Sequence, residues 1–226
     1  VQSFLTPAFM LLALQFATPI GDIKTTQLLP YYVLISLIYA VVRSNVDELI
    51  NEMTASGEVN NFLIKPISFY GYMLVKEFGE GLITLVTLSP FLVLAFCFFD
   101  YQKTSPNIFI LLPSMALAFL TYFNFSYLVG LVSFWIDEFW AIHNVKFVAI
   151  QFLGGIVLPY TFFPDNFAQF LRFTPFPYMT SWIVQIIQQG PVFADFITVS
   201  IWIVILRLAI VYFEKKAILK YSFTAS

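Results

Sequence analysis

Charge is scarce in this chain, and the residues that do metal and redox chemistry are scarcer. Only 11% of its 226 residues are Asp, Glu, Lys or Arg, where a soluble domain carries about 25%. The single cysteine, Cys97, stands inside an apolar run, so no disulfide framework and no cysteine-based metal site is encoded. The single histidine, His143, is a poor start for a metal site or a Ser-His-Asp set. A net charge of −2 offers nothing to nucleic acid. The sequence contains no Gly-x-x-x-x-Gly-Lys-Ser/Thr loop to cradle phosphates, no His-Glu-x-x-His and no Gly-x-Ser-x-Gly. A chain so built is expected to be no enzyme, to hold no metal or cofactor, and to power nothing by itself.

What it has instead is grease. Apolar residues make up 60% of the chain and aromatics 19%, with 28 Phe and 12 Tyr. One core of this size cannot hide that much apolar surface, so lipid must be the solvent for much of it. A bilayer crossing needs about 20 mostly apolar residues, and six stretches qualify. These are 3–20, Leu28 to Val42, 67–99, 108–134, 143–158 and 196–213. The expectation is an all-α membrane protein of six transmembrane helices in one domain covering 1–226, without internal repeats. No cleavable signal peptide is recognisable, and Val1 in place of Met reads as a trimmed start.

Two regions break the pattern. Ser44 to Lys65 carries Asp47, Glu48, Glu52, Glu58 and Lys65 and reads as an extramembrane segment, here bounded as 44–66. Within it Leu49, Ile50 and Met53 fit one helical face, Gly57 allows a break, and Lys65-Pro66 ends the element. It is either a solvated connection or a short helix that docks a partner. The second region, 159–194, is nearly uncharged yet holds Pro159, Pro164, Pro175, Pro177 and Pro191. Proline frees backbone carbonyls, and such backbone at membrane depth must be buried in protein. It reads as short re-entrant helices, or alternatively 178–194 is a seventh crossing.

Basic residues choose between them. With six crossings one side receives Arg43, Lys65, Lys76, Lys146, Arg207, Lys215, Lys216 and Lys220, and the other Lys24, Lys103 and Arg172. That split obeys the positive-inside rule, whereas a seventh crossing moves three lysines outward. Both termini, the 44–66 segment and the 135–142 turn are therefore expected in the cytoplasm.

Charges beside the membrane are few. Lys76 and Glu80 are spaced i, i+4. A charge at the bilayer centre costs about 2.5–3.5 kcal/mol on insertion scales, so Lys76, Glu77 and Glu80 belong near the inner interface, as an ion pair or a gate. Trp135, Asp137, Glu138, Trp140 and His143 form either an aromatic belt with solvated acids or a second partner contact. Arg207 is expected to snorkel to the inner surface. Gly154-Gly155 and Asn124 read as helix-packing devices.

Several runs together resemble a known family. They are Glu58 to Ser68 with Ile64-Lys65-Pro66-Ile67-Ser68 at its end, then Tyr70, Tyr72 and Lys76-Glu77-Phe78-Gly79. The Gln27 to Tyr32 entry to the second crossing, Phe152 to Pro159, Phe162-Phe163-Pro164 and Thr174-Pro175-Phe176 complete the set. In order and spacing they resemble the ABC-2 type permeases, the membrane subunits of ATP-binding-cassette exporters, from about residue 20 onward. The family's N-terminal interfacial helix is not evident. The resemblance implies two permease chains working with two ATPase subunits that bind ATP and Mg. It implies a coupling helix at roughly 47–64, with Gly57, Glu58, Phe62, Leu63, Lys65 and Pro66 as contacts. It also places Pro159, Phe162, Phe163, Pro164, Pro175 and Phe176 in re-entrant helices at the outer mouth.

The function expected from that resemblance is outward movement of a hydrophobic or amphiphilic cargo, lipid-like, peptide or drug-like, across the plasma membrane. The competing readings are a membrane-embedded enzyme or assembly scaffold, whose acids would be Glu77, Glu80, Asp137 and Glu138, and a channel, for which no selectivity filter is visible.

Overall fold

The computed structural model describes residues 25–60, 68–98, 108–136 and 138–224. Among them every regular element is helical. The expected first crossing, 3–20, lies outside the described residues, as do Asp137 and the 61–67 stretch with Phe62, Leu63, Lys65 and Pro66.

Helix α1 (Thr25–Val42) is followed after a three-residue break by the short α2 (Val46–Ser56). The long α3 (Phe69–Phe98) and α4 (Ile108–Gly130) come next, and a 3-10 turn at Leu131–Phe134 extends α4. Then follow α5 (Phe139–Leu153), a second 3-10 turn at Tyr160–Phe162, three short helices α6 (Asp165–Leu171), α7 (Phe176–Met179) and α8 (Ser181–Gln189), and the long α9 (Phe193–Thr224).

Among the described residues, three stretches are long and apolar enough to cross a membrane: Phe69–Phe98, Ile108–Phe134 and Phe193–Lys220. They sit differently. In the most apolar window of each, 39% of Ile108–Phe134 is buried, against 6% of Phe69–Phe98 and 17% of Phe193–Lys220. Helix α4 is therefore the axis around which the others gather, while α3 presents Val75, Ile83, Val86 and Val93 outward, a surface for lipid or another chain. Ser114 and Thr121 lie buried in α4 because each hydroxyl donates to the carbonyl four residues back, at 2.7 and 2.8 Å, leaving no polar atom to solvate.

Two cores flank α4. One packs α1, from Tyr31 to Val42, against Tyr178, Trp182, Ile183 and Ile187, with Tyr122 and Ile150 between them. The other packs α2 through Val46, Ile50 and Met53 against Phe119, Phe123 and Tyr127 of α4, Met73 of α3, and Ile210 and Ala217 of α9.

Helices α5 and α8 differ from the sequence expectation. The fifth crossing was placed at 143–158, but α5 starts at Phe139 and stops at Leu153. Its 15 residues reach about 22 Å, short of the roughly 30 Å of hydrocarbon. Gly155 ends it with φ +79°. The Gly154-Gly155 pair is thus a turn as well as the expected close approach, with a Cβ at Gly154 standing 2.7 Å from Thr180 Oγ1 and one at Gly155 3.1 Å from Ser181 Cβ, and hydroxyls cover the carbonyls it frees. Tyr31 donates to Gly155 O at 2.6 Å, Thr180 to Gly154 O at 2.6 Å, Tyr32 to Val157 O at 3.0 Å, and Tyr160 to Leu153 O. A helix end inside a protein needs such partners. Helix α8 has 9 residues, about 14 Å, and Gly190 closes it with φ +90°. It cannot be a seventh crossing. Trp182, Ile183, Val184, Ile186 and Ile187 bury it inside the bundle.

Candidate functional site

The site is α2 and what holds it. Four positions of this helix are buried: Val46, Asp47, Ile50 and Met53. Three of them are apolar and fill the core under α4. Ile50 and Met53 match the predicted apolar face, with Val46 in place of Leu49, which is only partly buried. Gly57 terminates the helix with φ +79°, the left-handed C-terminal residue that glycine adopts without strain, so the predicted break falls where expected. Glu48, Glu52 and Glu58 are exposed. The helix therefore has an apolar underside and an acidic outer side.

The fourth buried position is the unexpected one. Asp47 is completely buried, and its carboxylate is gripped from α5. Lys146 Nζ donates to Oδ1 at 2.6 Å, and His143 Nδ1 lies 2.8 Å from Oδ2. Lys146 is itself only 5% exposed, so this pair is withdrawn from water on both sides. His143 Nε2 also lies 3.3 Å from Glu48 Oε1, which carries the contact out to the surface. A buried carboxylate is tolerated only when paired and hydrogen-bonded, and here both oxygens are engaged. The residues are 99 positions apart, and His143 and Lys146, three apart on α5, face α2 together.

Gly130 makes this approach possible. A Cβ built there would stand 2.8 Å from Asp47 Cα and 2.9 Å from Ile50 Cδ1. Only glycine at the end of α4 lets the α2 backbone come so close.

A third tie runs to α3. Asn45 N donates to Glu77 Oε2 at 3.0 Å, just before α2 begins. Of the three interfacial charges predicted on α3, Glu77 is buried while Lys76 and Glu80 are exposed, and the described ion pairs do not include Lys76 with Glu80. Glu138 is exposed and directly precedes α5. Trp140 is 78% exposed, as a belt residue would be, and Trp135 is partly so.

In the proline-rich region, Pro159 and Pro175 are buried, Phe162, Phe163 and Phe176 are partly buried, and Pro164 is exposed. Pro164 and Pro175 each immediately precede a helix, where a missing N–H costs nothing. Phe176 meets Phe125 of α4 edge-on at 5.5 Å. Arg207, expected to snorkel to the inner surface, has its guanidinium carbon 3.5 Å from the centre of the Tyr70 ring near the start of α3, with Nη1 buried.

Sequence reasoning missed Asp47, Lys146 and Gly130 as a unit, and it placed His143 only in the aromatic belt or partner contact after the fourth crossing. The available signal was the i, i+3 spacing of His143 and Lys146 in an otherwise apolar helix. Two bases on one face of such a helix call for an acid from elsewhere.

Helices that can cross a bilayer, packed with a short acidic helix that buried charge pins to α5, define a multi-pass membrane protein. Residues 4–225 match the family model described as ABC-2 family transporter protein, and the chain belongs to that family. Permeases of the family generally work with an ATPase subunit. No curated protein and no solved structure matches the chain.

Proposed function

We propose that this chain is the permease subunit of an ABC exporter, with α2 as its coupling helix. One observation carries the reading. Helix α2 is held to α5 by a fully buried carboxylate between a lysine and a histidine, which is more restraint than a connecting loop needs. ATP hydrolysis in a separate subunit moves the exposed Glu48, Glu52 and Glu58 and the half-buried Gly57. Through Asp47 the displacement passes to α5, and through Gly130 to α4. Phe62, Leu63, Lys65 and Pro66, outside the described residues, complete the contact surface by resemblance. The cargo is hydrophobic or amphiphilic and moves outward.

The proposed topology has six crossings, with both termini and α2 on the cytoplasmic face of the plasma membrane. In it α5 is a short crossing prolonged by the packed segment 154–158, and α6 to α8 are the re-entrant region. A second permease chain completes the translocation path. This chain holds no nucleotide; ATP and Mg belong to the ATPase, and no catalytic role falls to Glu77, Glu80, Asp137 or Glu138.

Co-purification with an ATPase encoded beside the gene tests the reading. Glu58→Lys and Glu52→Lys are expected to abolish the complex while membrane insertion stays normal. An unchanged complex with both variants refutes α2 as the coupling element. Labelling gives an independent check: in a Cys97→Ser background, a cysteine at Glu52 must react only with reagents that reach the cytoplasm.

A further inference from the structure

A second polar cluster lies in the bundle, away from the Asp47 clamp. Arg207 of α9 stacks its guanidinium 3.5 Å from the centroid of the Tyr70 ring. The Tyr70 hydroxyl donates to Asn124 Oδ1 of α4 at 2.7 Å. In this orientation that bond occupies the acceptor of the amide. Its donor, Asn124 Nδ2, is buried and has no partner among the described residues, on a residue only 1% exposed. Arg207 Nη1 is likewise buried and without a hydrogen-bond partner among the described residues. The carboxylate further along α9, Glu214, accepts from the Tyr127 hydroxyl at 2.9 Å, and no described ion pair joins it to Arg207.

The imbalance has one sign. Both unpartnered groups are donors, one is cationic, and both are held by a single tyrosine side chain. Buried donors in native structures find acceptors, and a charge within a membrane-crossing helix marks a functional site by default. The group that satisfies both is an oxyanion. A guanidinium fork matches phosphate or carboxylate oxygens in two-point fashion, the amide Nδ2 supplies one more hydrogen bond, and the tyrosine ring holds the cation in place.

We propose that Arg207, Asn124 and Tyr70 form a binding site for an anionic oxygen group, a phosphate or a carboxylate, borne by an amphiphile or free in solution. Tyr70 opens α3 and Asn124 lies in the last third of α4. The site therefore stands at the end of the bundle nearest α2, and an amphiphile whose tail lies along the lipid-facing helices would reach it headgroup first.

The test uses the full chain purified in phosphatidylcholine nanodiscs, without an ATPase, so that its outcome is separate from that of the coupling experiment. Short-chain phosphatidic acid, a fatty acid and inorganic phosphate are titrated in turn, with binding followed by native mass spectrometry and thermal melting. Saturable binding of an anion is expected. Arg207→Gln should weaken it about tenfold or more, Asn124→Leu several-fold, and Arg207→Lys by an intermediate factor, since the charge stays but the fork is lost. Binding of phosphatidic acid alone assigns a phosphate headgroup, binding of the fatty acid alone a carboxylate headgroup, and binding of inorganic phosphate a soluble anion. All three results uphold the site. Should Arg207→Gln not fold, Asn124→Leu, which removes one donor and adds no charge, carries the comparison. Equal affinities in wild type and Asn124→Leu, or no saturable anion binding at all, overturn the proposal.

Discussion

Replacing Lys146 by methionine removes the partner of Asp47 Oδ1 while keeping the length of the side chain. Asp47 is wholly buried, so its charge is left with His143 alone, at 2.8 Å on the other oxygen. Breaking a buried ion pair from one side costs about 3–5 kcal/mol. The retained histidine contact places this case at the low end, near 3 kcal/mol. That corresponds to roughly a hundredfold change in an equilibrium constant, at about 1.4 kcal/mol per decade. The effect should be local, because α2 is the element the pair holds down. Hydrogen exchange of the amides in Val46–Ser56 should therefore accelerate about a hundredfold, with little change in α4 or α9. Pairing Lys146→Met with Asp47→Asn removes both charges together. Replacing a buried pair by neutral groups is often nearly without cost, so the double variant should recover to within about 1 kcal/mol of wild type. If Lys146→Met leaves α2 protection unchanged, or if the double variant is as loose as the sum of the singles, the clamp is not what secures α2.

Other expectations follow from single positions. Gly130→Leu forces atoms into the 2.8 Å gap to Asp47 Cα and should destabilise the chain by about 1–3 kcal/mol, seen as lower thermal stability in detergent and a weaker ATPase complex. Gly155→Ala places a Cβ at φ +79°, 3.1 Å from both Ser181 Cβ and the Tyr31 hydroxyl, so a loss of at least about 1–2 kcal/mol is expected in the same melting assay. Tyr31→Phe strips the 2.6 Å bond from Gly155 O, and leaving that buried carbonyl bare should cost about 1–3 kcal/mol. By contrast Glu52→Gln, on the exposed side of α2, should shift stability by less than about 0.5 kcal/mol while weakening ATPase co-purification.

How much of this was readable in advance depended on range. Local patterns carried well. The apolar spacing of Ile50 and Met53, the stop at Gly57 and the start of α4 at Ile108 all follow from periodicity and turn chemistry within a few residues. The turn at Gly154-Gly155 did not, because two glycines before an apolar run look the same in a packed helix as in a turn. What decides is the hydroxyls of Tyr31 and Thr180, which the fold brings from distant segments. Nor could the Asp47–Lys146 pair be seen. On α2 the aspartate is one of several acids, and nothing local marks it as the one that turns inward. Only the approach allowed by Gly130 does that. Hydropathy likewise placed α3 and α4 alike, although one is the bundle's axis and the other its flank.

The arrangement of ties on α2 bears on how a push would travel. Its apolar underside rests on Phe119, Phe123 and Tyr127 of α4, and apolar contact alone resists separation but tolerates sliding. The Asp47 carboxylate removes that freedom with respect to α5, since charge-assisted bonds at 2.6 and 2.8 Å are short and directional. The tie to α3 runs through Glu77, which accepts from Asn45 N and from the Ser44 side chain, beside apolar contact with Met73. A force on the acidic face of α2 would therefore carry α4 and α5 with it. Helix α5 ends at the Gly154-Gly155 turn, whose carbonyls are bonded to Tyr31 of α1 and Thr180 just before α8. A displacement of α5 at the His143 end thus reaches α1 and α8 at the other, through the buried hydroxyls of Tyr31 and Thr180. That chain of directional contacts joins α2 to the interior helix α8 without passing through lipid-facing residues. It is the physical reason to read α2 as the handle of the bundle and not as a loop that happens to be helical.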